Sequence, residues 1–156
     1  MSDETYVVER SILINAPAER IYGQVVDFRK WRDWSPWEGI DPELERTYSG
    51  SEAGKGAVYQ WSGNRKAGKG SMTITEDIEP SRVRIDLWFE KPFKARNDMV
   101  LAIQAEGTGS RVIWTLTGQR TFMVKVMGIL KSMDKLVGPD FEKGLLQLKT
   151  VAESNV

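Results

Sequence analysis

Between residues 44 and 118 the chain alternates hydrophobic and polar side chains in short runs, which Gly, Pro and Asn separate. In residues 82–90, for example, Val83, Ile85 and Leu87 alternate with charged neighbours. A period of two is typical of strands with one face on a core and the other in water, and such runs in succession indicate an antiparallel meander. The pattern predicts six strands, at residues 44–49, 56–62, 69–78, 82–90, 97–105 and 111–118.

The N-terminal part of the chain predicts a further strand and then a helix. Residues 6–14 are rich in β-branched side chains, and they end before Pro17, which suits the start of a helix. In that helix Ile21, Val25 and Phe28 share one face, at spacings of four and three. Pro36 is expected to end the helical structure, because proline disfavours helical angles in the residue before it.

After Gly118 the hydrophobic positions recur every three or four residues, which is the period of an amphipathic helix. The recurring positions are Phe122, Val126, Ile129, Met133 and Val137, followed by Phe141, Leu145, Leu148 and Ala152. Gly138 and Pro139 separate the two sets, and a residue before proline disfavours helical angles. The pattern predicts two helical segments with a break or kink between them.

The predicted order is one strand, one helix, six strands and a terminal helix. An antiparallel sheet must cover its apolar face, and the C-terminal helix can do so. At 156 residues the chain has the length of one ordinary domain. We therefore expect a single α+β domain over residues 1–156, in which a seven-stranded antiparallel sheet packs around a long C-terminal helix.

Missing residue types exclude much catalytic chemistry. The chain has no Cys and no His, so it has no thiolate nucleophile, imidazole base, Ser-His-Asp triad or zinc site with nitrogen and sulfur ligands. We expect no metal and no cofactor, and we assign no catalytic residue. The carboxylates Glu38, Asp41, Asp77 and Glu79 lie near turns, where such groups are usually solvated.

Charge balance and the lack of long apolar runs limit the partners. The 22 Lys and Arg residues equal the 22 Asp and Glu residues, so no net field favours nucleic acid or an anionic membrane. No run approaches the roughly 20 apolar residues of a membrane span, and the N-terminus is acidic where a secretory signal is basic. We expect a cytoplasmic protein without stable membrane insertion, since a chain without disulfides suits a reducing compartment.

Residues 63–70 come close to a phosphate-binding P-loop, but Gly70 stands where that motif needs Ser or Thr. Residues 71–75 then have the pattern of a strand, whereas a P-loop needs the N-terminus of a helix. We therefore expect a hairpin connection that binds no nucleotide.

Two groups of large side chains leave their roles open. Trp31, Trp34 and Trp37 plug one end of the core, line a ligand site, or do both. Residues 122–137 are apolar over more than one helical face and rich in Met, which favours a cavity wall over a self-association surface. Self-association into a homodimer remains an open alternative.

Six short segments together form a recognisable pattern. They are 14–19 (Ile-Asn-Ala-Pro-Ala-Glu), 34–38 (Trp-Ser-Pro-Trp-Glu), 61–64 (Trp-Ser-Gly-Asn), 68–72 (Gly-Lys-Gly-Ser-Met), 91–93 (Lys-Pro-Phe) and 138–145 (Gly-Pro-Asp-Phe-Glu-Lys-Gly-Leu). In this order they resemble the START-like (SRPBCC) superfamily, and more closely its polyketide cyclase/dehydrase and lipid-transport branch. The resemblance spans nearly the whole chain.

The resemblance implies the helix-grip fold, with a cavity between sheet and C-terminal helix that binds lipids, sterols, polyketides or other hydrophobic molecules. It implies no reaction, because branch members range from cyclases to carriers. Our leading hypothesis is a noncatalytic domain that binds or carries a small hydrophobic ligand. The predicted wall residues are Trp37, Trp61, Met72, Leu87, Phe89, Leu101, Trp114, Phe122, Met127, Leu130 and Phe141, with entry near Trp37 and residues 91–93.

Two alternatives belong to other functional classes. A cyclase or dehydratase would use a carboxylate, Tyr59 or Arg84 inside the cavity, and it needs a buried ionisable group with a displaced pKa. A protein-interaction module, like the co-chaperone and toxin-partner relatives of the superfamily, would use residues 122–137 as an exposed apolar docking surface.

Overall fold

The computed structural model describes residues 5–39, 41–91, 94–119 and 133–154. The helices are α1 (Ala18–Val25), a 3₁₀ helix (Phe28–Asp33) and the C-terminal α2 (Met133–Ser154). The strands are β1 (Thr5–Ile14), β2 (Glu45–Gly50), β3 (Ala57–Ser62), β4 (Lys69–Ile78), β5 (Arg82–Lys91), β6 (Ala95–Glu106) and β7 (Gly109–Gln119). The strand boundaries lie within two residues of those predicted.

All seven strands belong to one antiparallel sheet, in the order β1-β7-β6-β5-β4-β3-β2. Within β2 to β7 each strand pairs with the next one along the chain, as a meander requires, and β1 closes the far edge against β7. The helix α2 packs along β1 and contacts α1 and the 3₁₀ helix. This arrangement confirms the predicted α+β helix-grip fold.

The sheet register aligns one residue of every strand in a row across the inner face, which is the face that packs against the helices. This row, which we call the tyrosine row, runs Tyr48, Tyr59, Met72, Leu87, Asn97, Gly118 and Tyr6. Four residues further along β5, β6 and β7 lies a second row, the tryptophan row, with Val83, Leu101 and Trp114. The two rows are about 13 Å apart at the usual rise of a strand.

Large buried side chains fill the core over the tryptophan row. Leu101 and Trp114 are fully buried, and the Trp114 ring stacks on Phe141 of α2 with ring centroids 4.0 Å apart. The Trp34 and Trp114 rings pack edge to face, with centroids 5.5 Å apart. The helix can come this close because Gly144 has no side chain, and a Cβ there would lie 3.0 Å from the Trp114 ring.

Two predictions about the helices are wrong in part. A break or kink was predicted at Gly138 and Pro139, and the helix α2 runs through both residues without a break. Proline removes one backbone donor from a helix, but packing of the apolar face outweighs this local cost. Phe28 belongs to the separate 3₁₀ helix, because α1 ends at Val25. The predicted helical positions between residues 120 and 132 lie outside the described residues.

The glycine-rich segment 63–70 joins β3 to β4, which confirms the predicted hairpin connection. The Asn64 side-chain oxygen accepts hydrogen bonds from the backbone N–H groups of Lys66 and Ala67, at 3.0 and 2.9 Å. The Gly68 N–H donates to the Asn64 carbonyl at 2.7 Å. The turn therefore uses its own backbone donors, which a phosphate-binding loop would present to the phosphate.

Candidate functional site

A cavity of about 250 Å³ lies between the inner face of the sheet and α2. Its described walls come from the strands, from residues 28–44, from the β3–β4 turn and from α2. The lining residues are Tyr6, Phe28, Trp31, Ser35, Trp37, Glu38, Leu44, Tyr59, Trp61, Lys66, Ala67, Met72, Leu87, Phe89, Asn97, Met99, Leu116, Val137, Asp140 and Phe141. Most of these side chains are aromatic or aliphatic.

The tyrosine row forms the floor of the cavity. Tyr59, Met72, Leu87, Asn97 and Tyr6 all line it, and each lies on a different strand of the sheet. The register of the strand pairs places these side chains next to one another, although they are far apart along the chain. The pairing of the strands thus builds one continuous surface from short separate segments.

Trp61 and Phe89 form an aromatic wall beside this floor. Their rings meet edge to face with centroids 5.7 Å apart, and the Trp61 indole N–H donates to the Ala67 carbonyl at 2.8 Å. Gly70 lies opposite both residues, and a Cβ there would come within 2.8 Å of the Trp61 ring. The missing side chain at Gly70 lets the Trp61 ring lie against the sheet.

The predicted wall residues fall into three groups. Six line the cavity, namely Trp37, Trp61, Met72, Leu87, Phe89 and Phe141. Leu101 and Trp114 are fully buried in the tryptophan row and do not line the cavity themselves, although Trp114 stacks on Phe141, which does. Phe122, Met127 and Leu130 lie outside the described residues, as do residues 92–93 of the predicted entry and most of the predicted docking surface.

The position of Leu101 and Trp114 has a simple physical reason. Alternation places them on the inner face, but their row is the one that Trp34, Phe141 and the close approach of α2 fill. Alternation along a strand predicts which face of the sheet a side chain lies on. It does not predict whether that part of the face is covered by the packed core or by the cavity. A sequence pattern therefore groups these two residues with Leu87 although the fold separates them.

The three tryptophans that precede β2 have different places. Trp34 is buried in the core, Trp37 lines the cavity and is partly exposed, and Trp31 is buried while also touching the cavity. The indole N–H groups of Trp31 and Trp34 donate to the carbonyls of Val25 and Gln24, at 2.9 and 3.0 Å. Trp34 therefore belongs to the core and Trp37 to the cavity lining, while Trp31 is part of both.

Polar groups occur at both sides of the cavity floor. On one side the Tyr6 hydroxyl donates to Asn97 Oδ1 at 2.5 Å. On the other, Arg46 donates to Glu38 at 2.5 Å, and burial together with the Glu38 charge raises the pKa of Tyr59 to about 12. Tyr59 therefore stays protonated at neutral pH.

Tyr6 and Asn97 are not among the predicted wall residues, although the sequence carries a signal for Asn97. Asn97 precedes Met99 and Leu101 at a spacing of two, so alternation places it on the inner face. It is 5% exposed, and a buried amide at an inward position of a strand indicates a specific hydrogen-bond partner.

Arg84 cannot serve a reaction in this cavity. Its guanidinium makes two hydrogen bonds to the Asp98 carboxylate, at 3.0 and 2.8 Å, and the side chain is 42% exposed. Both residues alternate with the inward positions of β5 and β6, so they lie on the opposite face of the sheet. The suggestion of Arg84 as a cavity residue was wrong.

Among the described residues, no group of three or more acidic side chains could hold a metal ion. No helix in the described ranges is long and apolar enough to cross a membrane.

The family model described as polyketide cyclase / dehydrase and lipid transport matches residues 5–153. No curated protein matches the chain in sequence. Among solved structures, TTHA0849 from Thermus thermophilus is 22% identical with a TM-score of 0.68, over 96% of this chain and 98% of that chain.

Two further structures show the range of proteins with this fold. The Aha1 dimer from Colwellia psychrerythraea is 15% identical with a TM-score of 0.63, over 95% of this chain and 96% of that chain. The di-domain ARO/CYC StfQ of the steffimycin biosynthetic pathway is 9% identical with a TM-score of 0.74, over 98% of this chain and 52% of that chain. Family and fold fit a ligand-binding or polyketide cyclase-like role.

Proposed function

This chain belongs to the polyketide cyclase/dehydrase and lipid transport family, and from that premise we propose that it binds and carries a small hydrophobic ligand between the sheet and α2. The observation that carries the proposal is the cavity of about 250 Å³ with mainly aromatic and aliphatic walls. Apolar walls with a few convergent polar groups are typical of small-molecule sites.

The volume of the cavity favours a compact ligand. Small-molecule sites usually measure roughly 300–1,000 Å³, so about 250 Å³ is small for this class. An apolar cavity of about 150 Å³ already holds benzene. A ligand of one or two fused rings fits these dimensions better than a long acyl chain.

The polar groups at the cavity support binding more than catalysis. A general acid or base works best with a pKa near the operating pH, whereas the pKa of Tyr59 is raised to about 12. Glu38 is held by Arg46 in a close ion pair. Arg84, the cation considered for a cyclase or dehydratase, lies on the other face of the sheet. We therefore place the carrier function ahead of the enzymatic one.

Native mass spectrometry of protein purified from its own host, with solvent extraction of the same sample, tests the proposal. We expect a fraction of the protein to carry a small apolar compound that the extraction releases. Protein that is free of any such compound, and that also fails to bind added apolar probes, would refute the carrier function.

A further inference from the structure

One polar pair on the cavity floor has a geometry that the carrier function alone does not explain. The Tyr6 hydroxyl donates to Asn97 Oδ1 across β7, where Gly118 lies between them in register. A Cβ at Gly118 would collide with Asn97 Oδ1 and with the Tyr6 ring. Because Gly118 has no side chain, Tyr6 and Asn97 can meet over β7, although their own strands are not adjacent.

The pair has more hydrogen-bond donors than it uses. Asn97 Oδ1 is occupied by Tyr6, and the Asn97 Nδ2 group makes no hydrogen bond to the described residues. Turning the amide over would pair Nδ2 with the Tyr6 oxygen and free the Tyr6 hydroxyl, so the count of two spare donors stays the same. Both residues line the cavity, so these donors are available to a molecule inside it.

The pair is also uncharged. Burial raises the pKa of Tyr6 above its ordinary value, so its hydroxyl remains protonated at neutral pH. An uncharged pair offers little to offset the desolvation of a ligand carboxylate, whereas a carbonyl oxygen needs only a donor. The surrounding floor of Met72, Leu87 and Leu116 is apolar and suits a hydrocarbon ring.

We propose that Tyr6 and Asn97 form a subsite that binds the carbonyl oxygen of an uncharged ligand, so that the carried molecules are small cyclic ketones. The inference rests on the proposed carrier function and adds the ligand class to it. The ring occupies the apolar floor, and the Asn97–Tyr6 pair fixes its orientation through the oxygen.

The test compares 1-tetralone with tetralin, which share the same two rings and differ by the carbonyl oxygen. Calorimetry gives the dissociation constants of both ligands for the wild type and for three variants. The readout is the ratio of the tetralone constant to the tetralin constant, in which the contribution of the shared rings cancels. A net hydrogen bond predicts that Asn97→Leu shifts this ratio against tetralone by about five- to tenfold. Tyr6→Phe keeps both Asn97 N–H donors but removes the hydrogen bond that holds the amide in place. It should therefore shift the ratio in the same direction by only about two- to threefold.

Tyr22→Phe is the matched control, because Tyr22 is a buried tyrosine of α1 outside the cavity lining. It should leave the ratio unchanged. If Asn97→Leu does not fold, the Tyr6→Phe result decides. Binding of both ligands with a ratio within about 1.5-fold of wild type in every folded Asn97 and Tyr6 variant would overturn the subsite and leave the carrier function standing. Failure of the wild type to bind either ligand would overturn both.

Discussion

The tyrosine row and the tryptophan row lie on the same face of the same sheet, about 13 Å apart, but they are packed differently. Leu101 and Trp114 of the tryptophan row are fully buried against Trp34 and Phe141. Leu87 of the tyrosine row is also only 6% exposed to solvent, yet it borders an open volume. Leu87 and Leu101 are therefore nearly equally shielded from solvent, whereas only Leu87 borders open space.

The difference arises from side chains outside the sheet and from missing side chains within it. Over the tryptophan row, Gly144 brings α2 close and Trp34 fills the remaining space. At the tyrosine row, Gly118 lets the Asn97 and Tyr6 side chains lie close to the sheet, and the neighbouring Gly70 does the same for Trp61. In the tryptophan row the glycine brings the helix onto the sheet, whereas here the glycines draw side chains down to the floor and the volume above them stays open.

The largest expected effect comes from a leucine-to-alanine substitution, made once in each row. Leu101→Ala should lower the free energy of unfolding by about 3–5 kcal/mol, because it opens a void in a filled core. Leu87→Ala should cost only about 2 kcal/mol or less, since the side chain already has a void on one side. Urea unfolding of both variants gives the two values, and equal losses would show that the rows are packed alike.

A second comparison uses glycine substitutions in helices. An alanine at Gly144 would meet Pro36 at 2.8 Å and the Trp114 ring at 3.0 Å, so we expect a loss of about 1–3 kcal/mol from overpacking. At Gly23 of α1 a Cβ would have nothing within 4 Å, and Gly23→Ala should stabilise by about 0.5–1 kcal/mol through helix propensity. Thermal unfolding followed by circular dichroism measures both changes. A stabilising Gly144→Ala would contradict tight packing under α2.

The smallest effect concerns pH and the tyrosine row. Burial and the Glu38 charge raise the pKa of Tyr59 from 10.0 to about 12 in the folded protein. The unfolded chain therefore loses this proton first as pH rises, so the stabilisation is fully present below about pH 10 and is lost as pH rises through about 12. We expect the free energy of unfolding to fall more steeply across this pH range in the wild type than in Tyr59→Phe. Parallel slopes in urea unfolding at several pH values would show that Tyr59 is not shielded as described.

Much of the fold could be predicted because its signals are local. Period-two alternation marks the strands, and it also places Met72, Leu87 and Phe89 on the inner face. The glycine-rich segment 63–70 could be assigned to a hairpin because the residues that follow it have a strand pattern. These features depend on residues that are close together along the chain.

The remaining features depend on contacts between distant parts of the chain. Alternation cannot separate Leu101 from Leu87, because Trp34 and Phe141 decide which row is filled. The pairing of Tyr6 with Asn97 requires the register of three strands. At Pro139 the local rule predicted a break or kink, and the helix continues through this residue without a break.

The central claim is that the open volume above the tyrosine row is a ligand site, and titration with the fluorescent probe prodan, which has two fused rings, tests it most directly. Leu87→Trp narrows the cavity at a cost of about 1–3 kcal/mol, while the control Leu13→Trp makes the same change at a residue that is 46% exposed on the opposite face.

The account predicts saturable binding to the wild type and to Leu13→Trp, competition by 1-tetralone, and an affinity for Leu87→Trp that is lower by about tenfold or more. Saturable binding that Leu87→Trp leaves unchanged, with the variant folded, would contradict it.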